Sequence, residues 1–257
     1  MKKHILLFIL MFFTMASVQF SACSSDEDEA ADAAASLCAD TPTNTPTNDY
    51  EVVAQAIGGL QSCGIVMITK DGEDVVDAIV KIGNSTLTYD SEMGYTGMID
   101  ASTIGAEMEL EVTHNGTVIA SGKACVPGFP AITNIDSGDV HQKNTALEVK
   151  WNSADHATAI EVSATTSTND DDYSSGFLDP TTTTHTIPAT FFDLSSSWDD
   201  QAECSITVNA YNGISPDNAD IMESDSSLTV GVNMEGAAGL FISINGDETT
   251  VYVPLGN

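Results

Sequence analysis

The sequence predicts an all-β protein, two tandem β-sandwiches set behind an export signal and a disordered tether. Three observations predict this. Apolar and polar residues alternate with period two in a series of short runs. Turn-forming pairs such as Asp71-Gly72, Gly83-Asn84 and Asn115-Gly116 separate those runs. No segment after the N-terminal signal keeps a helical period over three turns, and "YEVVAQAIGGL" (50–60) reads as at most one helical turn.

The first 22 residues read as a signal peptide. Lys2 and Lys3 precede an apolar run from Ile5 to Phe13, and smaller residues follow. A membrane span needs roughly 20 apolar residues, about twice what precedes Thr14. Phe20, Ser21, Ala22 and Cys23 then resemble a bacterial lipobox, in which a large apolar residue and two small ones precede the cysteine that is lipidated. Phe20 departs from the leucine most common there. Ordinary cleavage after Ala16, with Thr14 in the small slot, is the alternative. The resemblance implies acyl chains on Cys23, each buried CH₂ contributing about 0.8 kcal/mol to membrane attachment. Ser24, Ser25, Asp26, Glu27, Asp28 and Glu29 resemble the signal that sends some Gram-negative lipoproteins to the cell surface; a plain acidic spacer reads equally.

Residues 23–49 are expected to be the tether: an Ala/Asp/Glu stretch, then "TPTNTPTN" (41–48), whose prolines favour extended backbone. The first sandwich is expected over 50–127. Its strands are "CGIVMITK" (63–70), "VVDAIVKI" (75–82), "STLTY", "GYTGM", "EMELEVTH" (107–114) and "TVIASGKAC" (117–125), the last two joined at Asn115-Gly116. The order of turns and strands over 63–125 resembles carboxypeptidase-regulatory or transthyretin-like sandwiches.

"CVPGFPAITNI" (125–135) marks the boundary to a second module over 128–257. "LEVKW" (147–151) sends Leu147, Val149 and Trp151 to one face. "AIEVSA" (159–164), "THTIP" (184–188) and "CSITVNAYNGIS" (204–215) follow, then "SLTVGVN" (227–233) as the module's last strand. Strand, buried Trp, strand, acidic loop and a long alternating strand ending Ala210-Tyr211-Asn212 resemble a fibronectin type III domain. The tyrosine that usually opens the long strand is replaced by Cys204. "LFISINGDETTVYVPL" (240–255) is expected to form a C-terminal hairpin around Asn245-Gly246.

Beyond Cys23 the chain holds five lysines, no arginine and all 38 acids, so its charge is −33. Nucleic acid is thereby excluded as a partner, because nothing neutralises phosphates. The acids favour weak, non-specific Ca²⁺ binding, with "NDDDY" (169–173) and "SPDNAD" (215–220) the densest oxygen-bearing loops; neither has EF-hand spacing, and no dedicated metal or cofactor site is expected. Besides Cys23 there are Cys38, Cys63, Cys125 and Cys204, for which three pairings exist. Cys63 and Cys125 bracket the strands of the first module and are the preferred disulfide; Cys204 alternates with core residues and is the candidate buried thiol.

His114, His141, His156 and His185 lack the spacing of a triad or metal site, and no nucleophile or phosphate-loop motif is present. Trp198, between polar residues, is a candidate for sugar stacking or for packing on its own domain. The expected protein is a non-catalytic lipoprotein of the outer membrane and cell surface, binding or structural in role. Its expected partners are the membrane, through the anchor, and an extracellular protein or polysaccharide. A component acting on extracellular polysaccharide, or a spacer in an envelope complex, is the alternative.

Overall fold

The structure, a computed structural model, describes residues 43–59, 62–167, 172–194, 200–218 and 230–255. Among these the only helical piece is a 3-10 turn at Pro216–Asn218. The strands begin with β1 (Thr43–Asn44), β2 (Tyr50–Ile57), β3 (Cys63–Lys70), β4 (Glu73–Asp74), β5 (Ile79–Ile82), β6 (Ser85–Thr86), β7 (Thr88–Asp90), β8 (Gly94–Met98), β9 (Glu107–His114) and β10 (Thr117–Cys125). They continue with β11 (Asp139–Val140), β12 (Leu147–Lys150), β13 (Ala159–Thr166), β14 (Tyr173–Ser174), β15 (Thr184–Ile187), β16 (Gln201–Asn212), β17 (Gly231–Val232), β18 (Met234–Glu235) and β19 (Ala238–Pro254). The chain is all-β, built as two β-sandwiches.

In the first sandwich, one sheet runs β19-β2-β3-β8-β7 and faces a second, β18-β10-β9-β5-β6. β9 shows why the sequence does this. Met108, Leu110 and Val112 point inward and are buried, while Glu107, Glu109 and Glu111 point out. Lys123, opposite on β10, reaches Glu107 at 2.6 Å and Glu109 at 2.9 Å, which offsets part of the like-charge repulsion. The hairpin between β9 and β10 turns at Asn115 and Gly116, with φ of 51° and 75°, as the pair predicts.

The second sandwich faces β14-β13-β16-β19 against β12-β15. Along β16, Ala202, Cys204, Ile206, Val208 and Ala210 are wholly buried at period two, and they pack on Val149, Trp151, Ile160 and Val162. Cys204 is a free thiol within this core, so the long strand is held by pairing with Thr166 on β13 and Val251 on β19 rather than by a corner tyrosine.

The two sandwiches are interlocked. β19 is one unbroken 17-residue strand. Its first part, Ala238 to Ile244, runs parallel to β2; its remainder, Ser243 to Pro254, runs antiparallel to β16. After β16 the chain crosses back to the first sandwich, where β18 adds an edge to β10 and Met234, Ala237 and Phe241 enter the core. It then returns along β19. Gly239 (φ 129°) makes this possible: a Cβ there would collide with the carbonyl of Val52 on β2. A third apolar cluster, Val53, Ala159, Tyr211, Ile214, Val232, Leu240, Ile242 and Ile244, seals the junction.

Five expectations are corrected by this arrangement. The last strand of the second module is β19, not 227–233: Gly231 and Val232 pair with β1 and with Gly239 and Leu240 at the junction, and residues 227–229 lie outside the described residues. The boundary at 127/128 is not a clean division, because residues 231–244 complete the first sandwich. Asn245-Gly246 makes no hairpin, since both residues pair with β16 as continuous strand. "YEVVAQAI" is a strand, its alternation erased because parallel pairing to β19 buries both its faces. The tether does not extend to residue 49: Thr43 and Asn44 pair with β17, and the amides of Asn44 and Asn48 donate to the carbonyls of Met234 (3.0 Å) and Ile119 (2.7 Å). The two asparagines of the TPTN repeat thus hook the incoming chain onto β10 and β18.

Candidate functional site

The most continuous array of ligand-competent side chains is an aromatic strip on the second sandwich. His185 on β15 lies beside Tyr173 on the edge strand β14, ring centroids 6.0 Å apart and stacked. Phe191 follows at 5.8 Å from Tyr173, Phe192 at 5.1 Å from Phe191, and His141 at 4.5 Å from Phe192. Phe192 is buried and roots the strip in the core, whereas Tyr173, His185, Phe191 and His141 are half-exposed. The Tyr173 hydroxyl and His185 Nε2 are 2.6 Å apart. Desolvation lowers the His185 pKa below the ordinary histidine value and raises that of Tyr173. At neutral pH His185 is therefore the neutral imidazole, and we assign Nε2 as acceptor of the tyrosine proton. The result is a pair of oriented, uncharged rings beside a third, a surface able to stack on a planar or sugar ring.

A second constellation sits on the first sandwich. The Tyr50 hydroxyl is 2.8 Å from His114 Nδ1, and His114 Nε2 is 3.0 Å from Asp77 Oδ1. Lys70 Nζ lies 4.8 Å above the Tyr50 ring. Tyr50 begins β2, His114 ends β9 and Asp77 lies between β4 and β5, so the chain of hydrogen bonds ties one sheet to the other at an open end of the sandwich. Nothing near His114 in the sequence marks it as paired. The contacts arise from strand register across the sandwich, which no local spacing encodes.

At the junction, Asn212 at the end of β16 accepts a hydrogen bond from the Cys125 N–H (2.8 Å) and donates to the His156 carbonyl (2.7 Å), pinning the linker between modules. Tyr211 beside it is buried, and its hydroxyl donates to Glu161 Oε2 at 2.7 Å. Burial and then this carboxylate hold the phenol pKa well above its usual value.

Of the residues singled out from sequence, Cys23 and Trp198 lie outside the described residues. Cys63 is a half-buried free thiol. The expected Cys63–Cys125 bridge is thus absent, although Cys125 is disulfide-bonded. The physical reason is that Cys63 pairs with Met98 on β8 in one sheet, while Cys125 ends β10 in the other. Each bracketed the module in sequence without being brought together in space. Both acidic loops lie partly outside the described residues, and among the described residues no three His, Cys, Asp or Glu side chains gather as a metal site. His156 adopts φ 60° and packs over Gly105, a turn role rather than a chemical one. An open cleft of about 420 Å³ lies between the TPTN hook and the β10-β18 edge, lined by Thr45, Thr47, Val118, Ser121 and Glu235.

No protein-family model matches the chain, and no curated protein matches it. Among solved structures, the fibronectin(III)-like modules of Clostridium thermocellum CbhA align over 83% of this chain and 94% of their own, at 14% identity and a TM-score of 0.27. The FN1–FN3 domains of chicken CNTN1 align over 82% and 68%, at 9% identity and 0.29. The IG1 and IG2 domains of DIP-gamma align over 75% and 98%, at 8% and 0.22. Scores this low carry no argument, and the fold rests on the strand pairing itself, which makes two β-sandwiches in tandem.

Proposed function

We propose that this protein is a surface-displayed lipoprotein of the outer membrane, held through Cys23, whose fused sandwiches act as a stiff arm for adhesion or for contact with matrix or polymer. The observation that carries the reading is β19. A strand paired in both sandwiches cannot bend at their junction without breaking backbone hydrogen bonds, and the apolar cluster around Leu240 and Ile242 would be exposed by any hinge. Such an arm suits transmission of position or load. The aromatic strip of Tyr173, His185 and Phe191 supports polysaccharide over protein as the partner, since flat half-exposed rings stack on sugars while a −33 charge disfavours acidic surfaces. The arm binds rather than turns over substrate.

The test is a pull-down from surface-labelled cells with the intact protein, followed by co-sedimentation with insoluble polysaccharide. The Tyr173→Ala/Phe191→Ala variant should lose tenfold or more of that capture while keeping its melting temperature within a few degrees. Unchanged capture would remove the strip from the contact. Failure of a fatty-acid analogue to label wild-type protein, or labelling that survives Cys23→Ser, would remove the anchor.

A further inference from the structure

We infer that Asn115 is a site of spontaneous chemical modification, a deamidation that the fold permits there and forbids at the chain's other Asn-Gly pairs. Those pairs are Asn212-Gly213 and Asn245-Gly246. Asparagine followed by glycine is the pair most open to this reaction, because the attacking backbone nitrogen belongs to a flexible residue with no side chain in the way. In local sequence all three are equal. Their surroundings separate them.

Asn115 and Gly116 form the exposed loop between β9 and β10. The ladder closes with His114 opposite Thr117 and leaves both loop residues outside it. A Cβ on Gly116 would meet nothing within 4 Å, so its backbone nitrogen has room to swing toward the Asn115 side chain. Among the described residues the Asn115 amide meets only the His114 ring, its Nδ2 3.5 Å from Nδ1 and 3.3 Å from Nε2, beyond the usual hydrogen-bond range. Nothing holds it in place. Asn212, by contrast, is 2% exposed with its amide bonded to Cys125 and His156, and the Gly213 N–H donates to Thr158 Oγ1 at 3.1 Å. Asn245 is 8% exposed, its Nδ2 donates to the Pro127 carbonyl at 3.2 Å, and Gly246 lies opposite Asn209 within the ladder with β16. Both react only from the open chain, about one molecule in a thousand or fewer.

Solvent base takes the Gly116 N–H proton, and the nitrogen adds to Cγ of Asn115. The Cγ–Nδ2 bond breaks, ammonia leaves with a proton from solvent, and a cyclic imide remains. Water then opens the imide. Cleavage between the nitrogen and Cγ gives aspartate; cleavage between the nitrogen and the main-chain carbonyl carbon gives isoaspartate, whose backbone runs on through Cγ. Ammonia is lost and water gained, with no change of oxidation state. Isoaspartate inserts a methylene into the loop that closes His114 on Thr117. His114 is the middle member of the Tyr50–His114–Asp77 chain, so the tie between the two sheets loosens at that end.

The full-length protein, incubated folded at pH 8, is digested under mildly acidic conditions and the three Asn-Gly peptides are followed by mass spectrometry. Conversion of amide to acid is read from the mass, and isoaspartate from its separate elution. The Asn115 peptide should convert about a hundredfold faster or more than those of Asn212 and Asn245, which wait on unfolding. In denaturant the three rates should draw together to within a few-fold, since the fold alone separates them. Native rates alike at all three, or Asn115 intact in the folded protein while the denatured chain converts, would overturn the inference. The isoaspartate-bearing fraction, separated from the unmodified protein, should exchange the amides at the tip of β9 and β10 about tenfold faster. Equal exchange in the two fractions would refute the loosening of the sheets.

Discussion

Phe241→Ala tests the interlock most directly, because Phe241 lies near the C-terminus in sequence yet in the N-terminal sandwich in space. The ring is wholly buried, opposite Ala54 of β2, and Gly122 of β10 leaves room for it: a Cβ at Gly122 would stand 3.3 Å from both Cβ and Cδ1 of Phe241. Truncating a ring so enclosed costs about 3–5 kcal/mol, the lost transfer energy plus the cavity left behind. Against a domain stability of roughly 5–15 kcal/mol this is a large share, equivalent to about 100- to 4,000-fold in the unfolding equilibrium. Hydrogen exchange followed by mass spectrometry locates the loss. The backbone amides of β3, β9 and β10, more than a hundred residues upstream, should lose protection in the variant, and Ile206→Ala should strip β13 and β16 first. If Phe241→Ala deprotects only β13 and β16 and leaves β9 as in the wild type, the account of β19 as a shared strand is wrong.

Asn212→Ala strands the buried Cys125 N–H and the His156 carbonyl together, and denaturant melts should show a loss of about 2–5 kcal/mol; a loss under 0.5 kcal/mol would mean water replaces the amide. Burial, and then the charge of Glu203, push the Cys204 thiol up to about 11, so alkylation of native protein at pH 8 should spare Cys204 and label Cys63, whose thiol burial also raises, only slowly. Rapid labelling of Cys204 without unfolding would contradict its place in the core. His185 has a folded pKa below its unfolded one, so the unfolded chain takes up the proton first and stability falls as pH drops below about 6.5; His185→Gln should flatten that slope in melts between pH 7 and 5, and an unchanged slope would assign it elsewhere. Raising ionic strength from roughly 0.01 to 1 M, which cuts the screening length from about 30 to about 3 Å, should raise the melting temperature of so acidic a chain. Calcium exceeding sodium at matched ionic strength would indicate oxygen-lined sites, and equal effects screening alone.

Legibility in the sequence followed burial geometry. β9 and β12 are readable to within a residue because each has one face in a core and one in water, and alternation is the direct image of that asymmetry; β3 reads from its β-branched apolar run and β10 from the Asn115-Gly116 turn before it. β2 and the first half of β19 have both faces covered, so "YEVVAQAI" lost its period and Asn245-Gly246 was left as the strongest local feature of its segment. A turn pair is only a propensity, and the twelve-residue ladder with β16 overrode it. The expected Cys63–Cys125 bridge fails for a related reason. Cys63 and Cys125 mark the two ends of a strand series, and sequence order does not say that the ends fall in different sheets. The aromatic strip and the Tyr50–His114–Asp77 chain were out of reach because each draws on three or more segments whose register only the fold sets.

The shared strand also fixes when the protein can fold. Glu51 finds Ala238 only after nearly the whole polypeptide has been made, and pairings of such separation form slowly. Until then β2 and β10 have bare edges. The first sandwich therefore cannot close ahead of the second, and both stay open until the last strand is available. A chain that lost Ala238–Pro254 would leave both halves unfinished at once, and each would offer bare strand edges to proteolysis.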